Sequence, residues 1–565
     1  MKKRAARIRP WWWALIAPAA AIAVHASYVS RGFTWLDHGD VAAGRAVLAL
    51  ARLHEAFFMR MGDTGFFRPL AVVLHSLDHA AYGTWAPGYH LTSVLLHALV
   101  VAVTPLFLRA FVRLSALEEC LAGLVVAVHP LSWLVVGGIT YQQELLVTLF
   151  TFAAVGLHAS ARRSGRGAVA ASAVAAAALA FFSKETALVW LPALVGLWEI
   201  LARRGPDEDR PRRYGWLWAT YGVVLAVVLA ARAYAVPEIW RTTAAPLSAS
   251  EWAGVRLRAL ARSLGELVLP WLPSTNDAAL IGPPGFTESA CVGLAMVAAA
   301  FVLKRDRFSP AARLLLVLAV TLAPALRLVP VSRFGSPHYT FPAAAVLGAL
   351  LAVALRTARR SQATWRLAGG AVVGWLLVAA FFTTTGGARF EDDAALFEPE
   401  LRRDPGYAEA HAELGRHYLA SGAVPRALEH LQHALAPRPE RIAYLDRSMT
   451  HVNLALALAA LGRVAEAERH LDMAREHAPA SRRPLVDYNH AVLAARLERD
   501  ADVVRLLSPH DGTWRTPEPS LLLARSLGRL GRRDDAGRAL ENAERAASPD
   551  RRAGIESLRQ SLLGR

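Results

Sequence analysis

The chain has 565 residues, of which 54% are apolar and 19% charged, and its formal net charge is +17. Uncharged runs of about 20 residues recur through the first two thirds, each long enough to cross a hydrocarbon core of about 30 Å, which excludes a wholly soluble protein there. The last third is dense in Arg, Glu and Asp and has no such run, so a soluble region is expected behind a polytopic membrane region.

The excess charge is local, and its location excludes nucleic acid as the expected partner. From Arg389 onward there are 27 Arg, no Lys and 27 Asp plus Glu, so the whole excess belongs to residues 1–388. There it sits in short connections: "MKKRAARIR", "ARRSGRG", "ARRGPDEDRPRR", "KRDRFSPAAR" and "RTARRSQATWR". Basic clusters confined to alternate loops set orientation across a membrane. Cys120 and Cys291 lie at or within apolar segments and offer neither a disulfide framework nor metal-ligand spacing, so no metal site is expected.

With the basic N-terminus inside, the first span covers about 11–29. The stretch "VHAS" resembles a small-residue cleavage site, but the apolar segments that follow favour an uncleaved span. An outer loop, 30–88, precedes a second span at about 89–108. Further spans are expected at about 119–138, 145–160, 167–183, 186–202 and 215–236. A second outer loop, 237–288, holds the amphipathic or re-entrant stretch "VRLRALARSLGELVLPWLP", and the last spans lie near 289–303, 311–329, 339–356 and 366–383. This alternation puts every basic cluster on the cytoplasmic side and residues 389–565 outside. Lipid requires these spans to be helices, because only a helix satisfies its own backbone within one segment of this kind.

The last region repeats. Gly422, Ala427, Leu431 and Ala434 recur forty residues on as Gly462, Ala467, Leu471 and Ala474, and again as Gly531, Ala536, Leu540 and Ala543. A degenerate copy around "ARLERDADVVRLL" fills the gap. Small residues at such offsets let paired helices approach closely, the tetratricopeptide pattern, and a stack of them forms a surface for a protein partner.

The expected topology gathers ionisable residues on the outer face. Asp37, His38 and Asp40 follow the first span; Arg68 and Asp78 lie in the first outer loop; His90 opens the second span. Gln142, Gln143 and Glu144 fall between the third and fourth spans, Lys184 and Glu185 between the fifth and sixth, and Arg333 and His338 after the ninth. Ionisable groups near membrane depth are costly, so their convergence marks a candidate site. A carboxylate there can act as general base on an arriving hydroxyl, and nearby cations can stabilise a phosphate leaving group. Residues alone leave a transporter or a lipid-binding scaffold open.

The stretches "FTWLDHGD", "FFRPLAVVLHSLDHAAYG", "YHLTSVLLHAL", "VAVHPLSWLVV", "LAFFSKETALVWLPALVGLWE" and "LVLPWLPS", followed by the repeats, resemble the transmembrane and tetratricopeptide repeat-containing proteins and their bacterial relatives. These lie in the C-type glycosyltransferase superfamily, which includes protein O-mannosyltransferases. The resemblance implies an all-α fold of about eleven spans over 1–388, with a tetratricopeptide α-solenoid over 389–565. It implies inverting sugar transfer from a polyprenyl-phosphate-linked donor to an acceptor, a protein hydroxyl, on the periplasmic side of a cell inner membrane, with no cofactor. Asp37 is the implied base and Asp40 the runner-up; Arg68, Lys184, Arg333 and His338 would face the donor phosphate. His38, Asp78, His90, Glu144 and Glu185 would support them. The chain departs from the family pattern where Leu36 replaces a first acid, Leu134 a Glu, Tyr141-Gln142 a Gly-Arg, Ser93 an Asn and His338 an Arg. The alternative is a non-catalytic membrane-anchored repeat scaffold for envelope protein assembly. A transporter fits less well, since no span carries a paired charge at its middle and no inverted repeat is evident.

Overall fold

The computed structural model describes residues 13–62, 65–203, 215–237, 247–276, 278–326, 336–514, 516–547 and 549–563. Packing divides the chain into two compact units, Met1–Arg403 with Arg438–Tyr444, and Asp404–Pro437 with Leu445–Arg565.

The first unit contains α1 (Trp13–His25), α2 (Pro69–Tyr82), α3 (Ala86–Phe111), α4 (Ala116–Val128), α5 (Ser132–Gly137), α6 (Gln142–Ser164), α7 (Gly167–Ser183) and α8 (Ala187–Arg203). It continues with α9 (Gly215–Ala235), α10 (Ala249–Val268), α11 (Phe286–Arg305), α12 (Pro310–Leu322), α13 (Pro337–Thr340), α14 (Ala343–Ala358), α15 (Gln362–Gly386) and α16 (Asp393–Arg403). Among the described residues the strand content is one short antiparallel pair, β1 (Ala279–Leu280) with β2 (Arg441–Ile442). Among the described residues five stretches are long and apolar enough to cross a membrane: Ala86–Phe111, Ile139–Ser164, Trp216–Ala235, Phe286–Arg305 and Gln362–Phe390. Shorter apolar helices occur at Trp13–Tyr28, Gly167–Ser183, Pro310–Leu326 and Ala343–Ala358. This is a polytopic membrane protein. Where described, the expected spans fall largely on helix; the third is two pieces, α4 and α5, because Pro130 cannot continue a helix through His129, and the tenth begins in α13 and continues in α14.

Local chemistry explains the helix ends. Ser115 and Glu118 form a reciprocal capping box at the start of α4, and Ser248 and Glu251 do the same for α10. Within α10 the buried residues Val255, Ala259, Ser263 and Leu267 recur every fourth position, so the amphipathic loop segment is a helix laid on one face. α6 is buried for most of its length, whereas α11 and α15 keep Leu294, Phe301, Leu367 and Phe381 outward, as lipid contact allows. Gly348 of α14 meets the backbone of Ala122 in α4, and a Cβ there would come within 2.7 Å of the Ala122 Cα. Small residues let helices cross closely in lipid.

The basic end of this bundle is tied by ion pairs. Arg109 at the end of α3 pairs with Glu119 at 2.7 Å, Arg356 at the end of α14 with Glu118 at 2.7 Å, and Arg162 of α6 with Glu199 of α8 at 2.7 Å. The opposite ends of α6, α7 and α8 carry the polar set expected from the sequence. The sequence expectation divided the chain at 388/389; by packing, α16 goes with the first unit. The reason is specific: Asp393 accepts the Trp35 backbone N–H at 2.6 Å, and Phe397 packs edge-on against Trp35 at 5.5 Å.

The second unit contains α17 (Ala408–Ala420), α18 (Val424–Leu435), α19 (Arg447–Ala460), α20 (Val464–His477), α21 (Arg483–Arg496), α22 (Asp500–Leu507), α23 (Glu518–Arg529), α24 (Arg533–Ala546) and α25 (Pro549–Leu563). The first eight pack as successive pairs, and the repeat positions Ala427, Leu431, Ala434, Ala467, Leu471, Ala474, Ala536, Leu540 and Ala543 are all buried. In the degenerate copy Val503 and Leu507 fill the corresponding core places. Three pair turns use Gly at positive φ: Gly422 at 78°, Gly462 at 75° and Gly531 at 75°. The degenerate turn holds Glu498 at φ 58° instead, a conformation that a side chain disfavours. Glu498→Gly is therefore expected to raise the denaturant midpoint of the repeat unit and Gly462→Ala to lower it, each corresponding to about 1 kcal/mol of backbone strain. Unfolding of the full chain in detergent, followed by circular dichroism, checks both signs.

Candidate functional site

Lys184 lies where α7 ends and the chain turns toward α8. Its side chain is 2% exposed, and its ammonium donates to Glu144 in the first turn of α6. The same Glu144 oxygen lies 3.5 Å from Nε2 of His338 in α13, whose Nδ1 is 2.6 Å from the Ser336 hydroxyl. The Lys184 ammonium also sits 4.8 Å from the Tyr339 ring centre. The other oxygen of Glu144, Oε2, is buried and has no hydrogen-bond partner among the described residues, as is true of the Thr186 hydroxyl. Buried polar atoms are nearly always satisfied, so such orphans mark a place for a ligand or water.

Glu185 does not pair with its neighbour Lys184. It takes a fork of two hydrogen bonds from Arg68, one from Nε at 2.9 Å and one from Nη2. Arg68 precedes Pro69, which opens α2, and its guanidinium lies 3.9 Å over the Phe66 ring. Burial alone would raise the Glu185 carboxyl, but the charge and hydrogen bonds of Arg68 outweigh it, and the field of Lys184 and Arg232 adds to that, leaving it at about 2. Burial pushes the Lys184 ammonium below its usual range, against the pull of Glu144. Arg68, Lys184 and Arg232 together carry one more charge than Glu144 and Glu185, which suits an anion.

Asp37 belongs to a neighbouring group that meets this set through Tyr141. The Tyr141 and His338 rings are 5.1 Å apart and the Tyr141 and Trp35 rings 5.7 Å apart, so aromatic contacts join the two regions. The Asp37 carboxylate is 1% exposed. Its Oδ1 accepts from the Thr140 backbone at 2.7 Å and the Thr140 hydroxyl at 2.9 Å. Its Oδ2 accepts only at longer range, from Ile139 at 3.3 Å and from Thr34 at 3.4 Å. Burial raises the carboxyl to about 6 even though these four donors favour the anion. The loop is held from its other side by Asp393, which accepts from Trp35 and lies 3.1 Å from Nε2 of His38. Trp35 itself stands at φ 53°, so backbone strain is stored two residues from the candidate base.

The remaining expected residues are distributed around this core. Asp40 is half-buried in the one-turn π-helix His38–Ala42, and its carbonyl accepts from Ala46 at 2.8 Å. Asp78 accepts from the Thr92 hydroxyl at 2.8 Å and from Gln142 at 3.4 Å, and burial raises it to about 6. Gln142 also donates to the Tyr89 carbonyl at 3.0 Å and Ser93 at 3.1 Å. His90 contacts the Gly32 carbonyl at 3.0 Å and so ties α3 to the loop. Arg333 lies outside the described residues. Sequence reading missed Thr140, Tyr141, Tyr339, Arg232 and Asp393 as parts of this arrangement. Only Asp393 left a signal, an acidic run "EDD" immediately behind the last span.

No family model matches the chain. Over 202 residues it is 28% identical to "Protein O-mannosyl-transferase Tmtc1" of Drosophila melanogaster, covering 34% of this chain and 23% of that protein. Over 144 residues it is 26% identical to "Protein O-mannosyl-transferase TMTC2" of Mus musculus, covering 24% of this chain and 17% of that one. The matched part thus spans less than a quarter of each of these relatives. Among solved structures, ArnT from Cupriavidus metallidurans bound to undecaprenyl phosphate is similar at a TM-score of 0.45 and 15% identity, covering 81% of this chain and 79% of that one.

The Arg68–Glu185 fork makes a stability prediction. Glu185→Gln leaves the Arg68 guanidinium buried without its counter-charge, at a cost of about 3 kcal/mol or more, while Arg68→Met with Glu185→Leu restores most of it. Because the Glu185 carboxyl is depressed from 4.5 to about 2, its contribution is present above about pH 4.5 and is lost only as pH falls through about 2. Thermal unfolding of the three proteins in detergent at pH 7 and pH 5 is expected to show the same ordering at both.

Proposed function

We propose that this protein is a membrane glycosyltransferase that moves a sugar from a polyprenyl-phosphate donor to a hydroxyl on a protein acceptor. The observation that carries the reading is the buried set Lys184, Glu144 and His338 beside the Arg68–Glu185 fork, with its surplus positive charge and the Glu144 Oε2 that has no hydrogen-bond partner among the described residues. The names of the curated relatives, both O-mannosyl-transferases, support the same class. In this reading the site faces the periplasm of an inner membrane and the helical repeats, of tetratricopeptide type, present the acceptor.

The steps follow from the side chains. The donor's phosphate enters between Lys184 and His338, and its charge competes with Glu144 for the ammonium. As the bond from sugar to phosphate breaks, negative charge grows on the departing phosphate, and preorganised cations stabilise it more than they stabilise the intact donor. Oε2 of Glu144 is placed to accept from a sugar hydroxyl. Asp37 takes the acceptor's proton through Oδ2, the oxygen whose two hydrogen bonds are long. Thr140 keeps Oδ1 occupied and so fixes the carboxylate plane. Attack from the side away from the phosphate inverts the sugar's anomeric configuration.

Asp37→Asn is expected to reduce transfer by roughly 10²- to 10⁴-fold, the usual contribution of a general base, with the protein still folded in the membrane. In the unsubstituted protein the rate should rise with pH and level off above about 6, where the Asp37 carboxyl becomes ionised. Transfer assayed with a polyprenyl-phosphate sugar and a protein acceptor checks both; wild-type rates in the Asn variant would remove Asp37 as the base.

A further inference from the structure

The first two helix pairs of the second unit carry a feature that packing does not require. Between α17 and α18, Nδ1 of His411 faces Nδ1 of His430 at 2.9 Å. Between α19 and α20, forty residues on, Nδ1 of His451 faces Nδ1 of His470 at 3.0 Å. The core of each pair is already filled by Ala427, Leu431 and Ala434, or by Ala467, Leu471 and Ala474. In each case one imidazole is buried, His411 or His451, and its partner is half-buried on the neighbouring helix.

The far nitrogen of His411 fixes its tautomer. Nε2 lies 3.0 Å from the Pro405 carbonyl, which can only accept, so Nε2 carries the proton and Nδ1 presents its lone pair toward His430. A carbonyl on the far nitrogen is how metal-ligating imidazoles are commonly oriented. Two nitrogens that each bind one ion at about 2.0–2.1 Å stand roughly 3 Å apart, close to the observed separations. No group of three or more metal-type side chains is gathered among the described residues, so water would complete the coordination.

We propose that His411 with His430, and His451 with His470, are two equivalent sites for a divalent transition ion of the zinc, copper and nickel class. Neutral imidazole suits these ions, whereas magnesium and calcium prefer oxygen. Each ion would clasp the two helices of one repeat and stiffen the surface they present. The recurrence matters most: one imidazole pair is an accident of a surface, but the same pair at the same repeat positions twice is a built feature.

Equilibrium dialysis of the full-length, tag-free protein in detergent against micromolar zinc chloride tests this. Two ions per chain are expected, one fewer in either His430→Ala or His470→Ala, and neither in the double variant. The thermal midpoint of the unsubstituted protein should rise with zinc and that of the double variant should not. Both replaced residues are partly exposed, so unchanged helical circular dichroism would establish that the variants fold. Absence of uptake by the unsubstituted protein, or uptake retained in full by a folded double variant, overturns the proposal.

Discussion

A lysine ammonium in a low-dielectric interior needs a counter-charge, and Lys184 has Glu144. That pair joins the end of α7 to the start of α6, two consecutive helices that pack against each other as a hairpin. Removing either partner leaves a charge that the interior cannot hold, so the pair fixes both helix ends together. Everything placed around it inherits that geometry. His338 reaches the same carboxylate, Tyr339 lies beside the ammonium, and Arg68 anchors α2 through the adjacent Glu185.

The two carboxylates therefore do different things. Glu185 is committed to Arg68 through a fork and stays ionised across the working pH range. Glu144 shares one oxygen between Lys184 and His338 and leaves the other without a hydrogen-bond partner among the described residues, which makes it the exchangeable member. An incoming phosphate needs a cation whose present partner can be displaced, and Lys184 meets that condition better than Arg68. The sequence neighbours Lys184 and Glu185 look like a surface pair, yet each is bound to a different helix.

Asp37 sits under a second constraint. Its loop is tied to Ile139 and Thr140 on one side and to Asp393 on the other, with Trp35 held at positive φ between them. The loop after the first span and the helix after the last one are thus parts of one support. Thr140 supplies the two hydrogen bonds that hold the Asp37 carboxylate in place.

Much of this was legible in the sequence. Apolar run length located the helices, because lipid imposes a minimum length. The repeat offsets located the helix pairs of the second unit, because close approach demands small residues. The polar set was legible as a group, since the expected alternation of spans put Arg68, Glu144, Lys184, Glu185 and His338 at one end of the helices, and the structure brings them together there. Partner choice was not. That Glu185 turns to Arg68 and Lys184 to Glu144 depends on helix rotation, to which neither run length nor spacing responds. The role of Asp393 was missed for a related reason, since it depends on contacts with Trp35 and His38 more than 350 residues away; the break at His129-Pro130 is local proline chemistry that run length passes over.

The central claim is that the Lys184–Glu144 pair opens to receive a lipid phosphate. The most direct measurement is an experimental structure of the full chain with a polyprenyl phosphate. The account predicts phosphate density against the Lys184 ammonium and the His338 ring, with the Arg68–Glu185 fork intact. Phosphate bound elsewhere, with Lys184 still closed on Glu144, would contradict it.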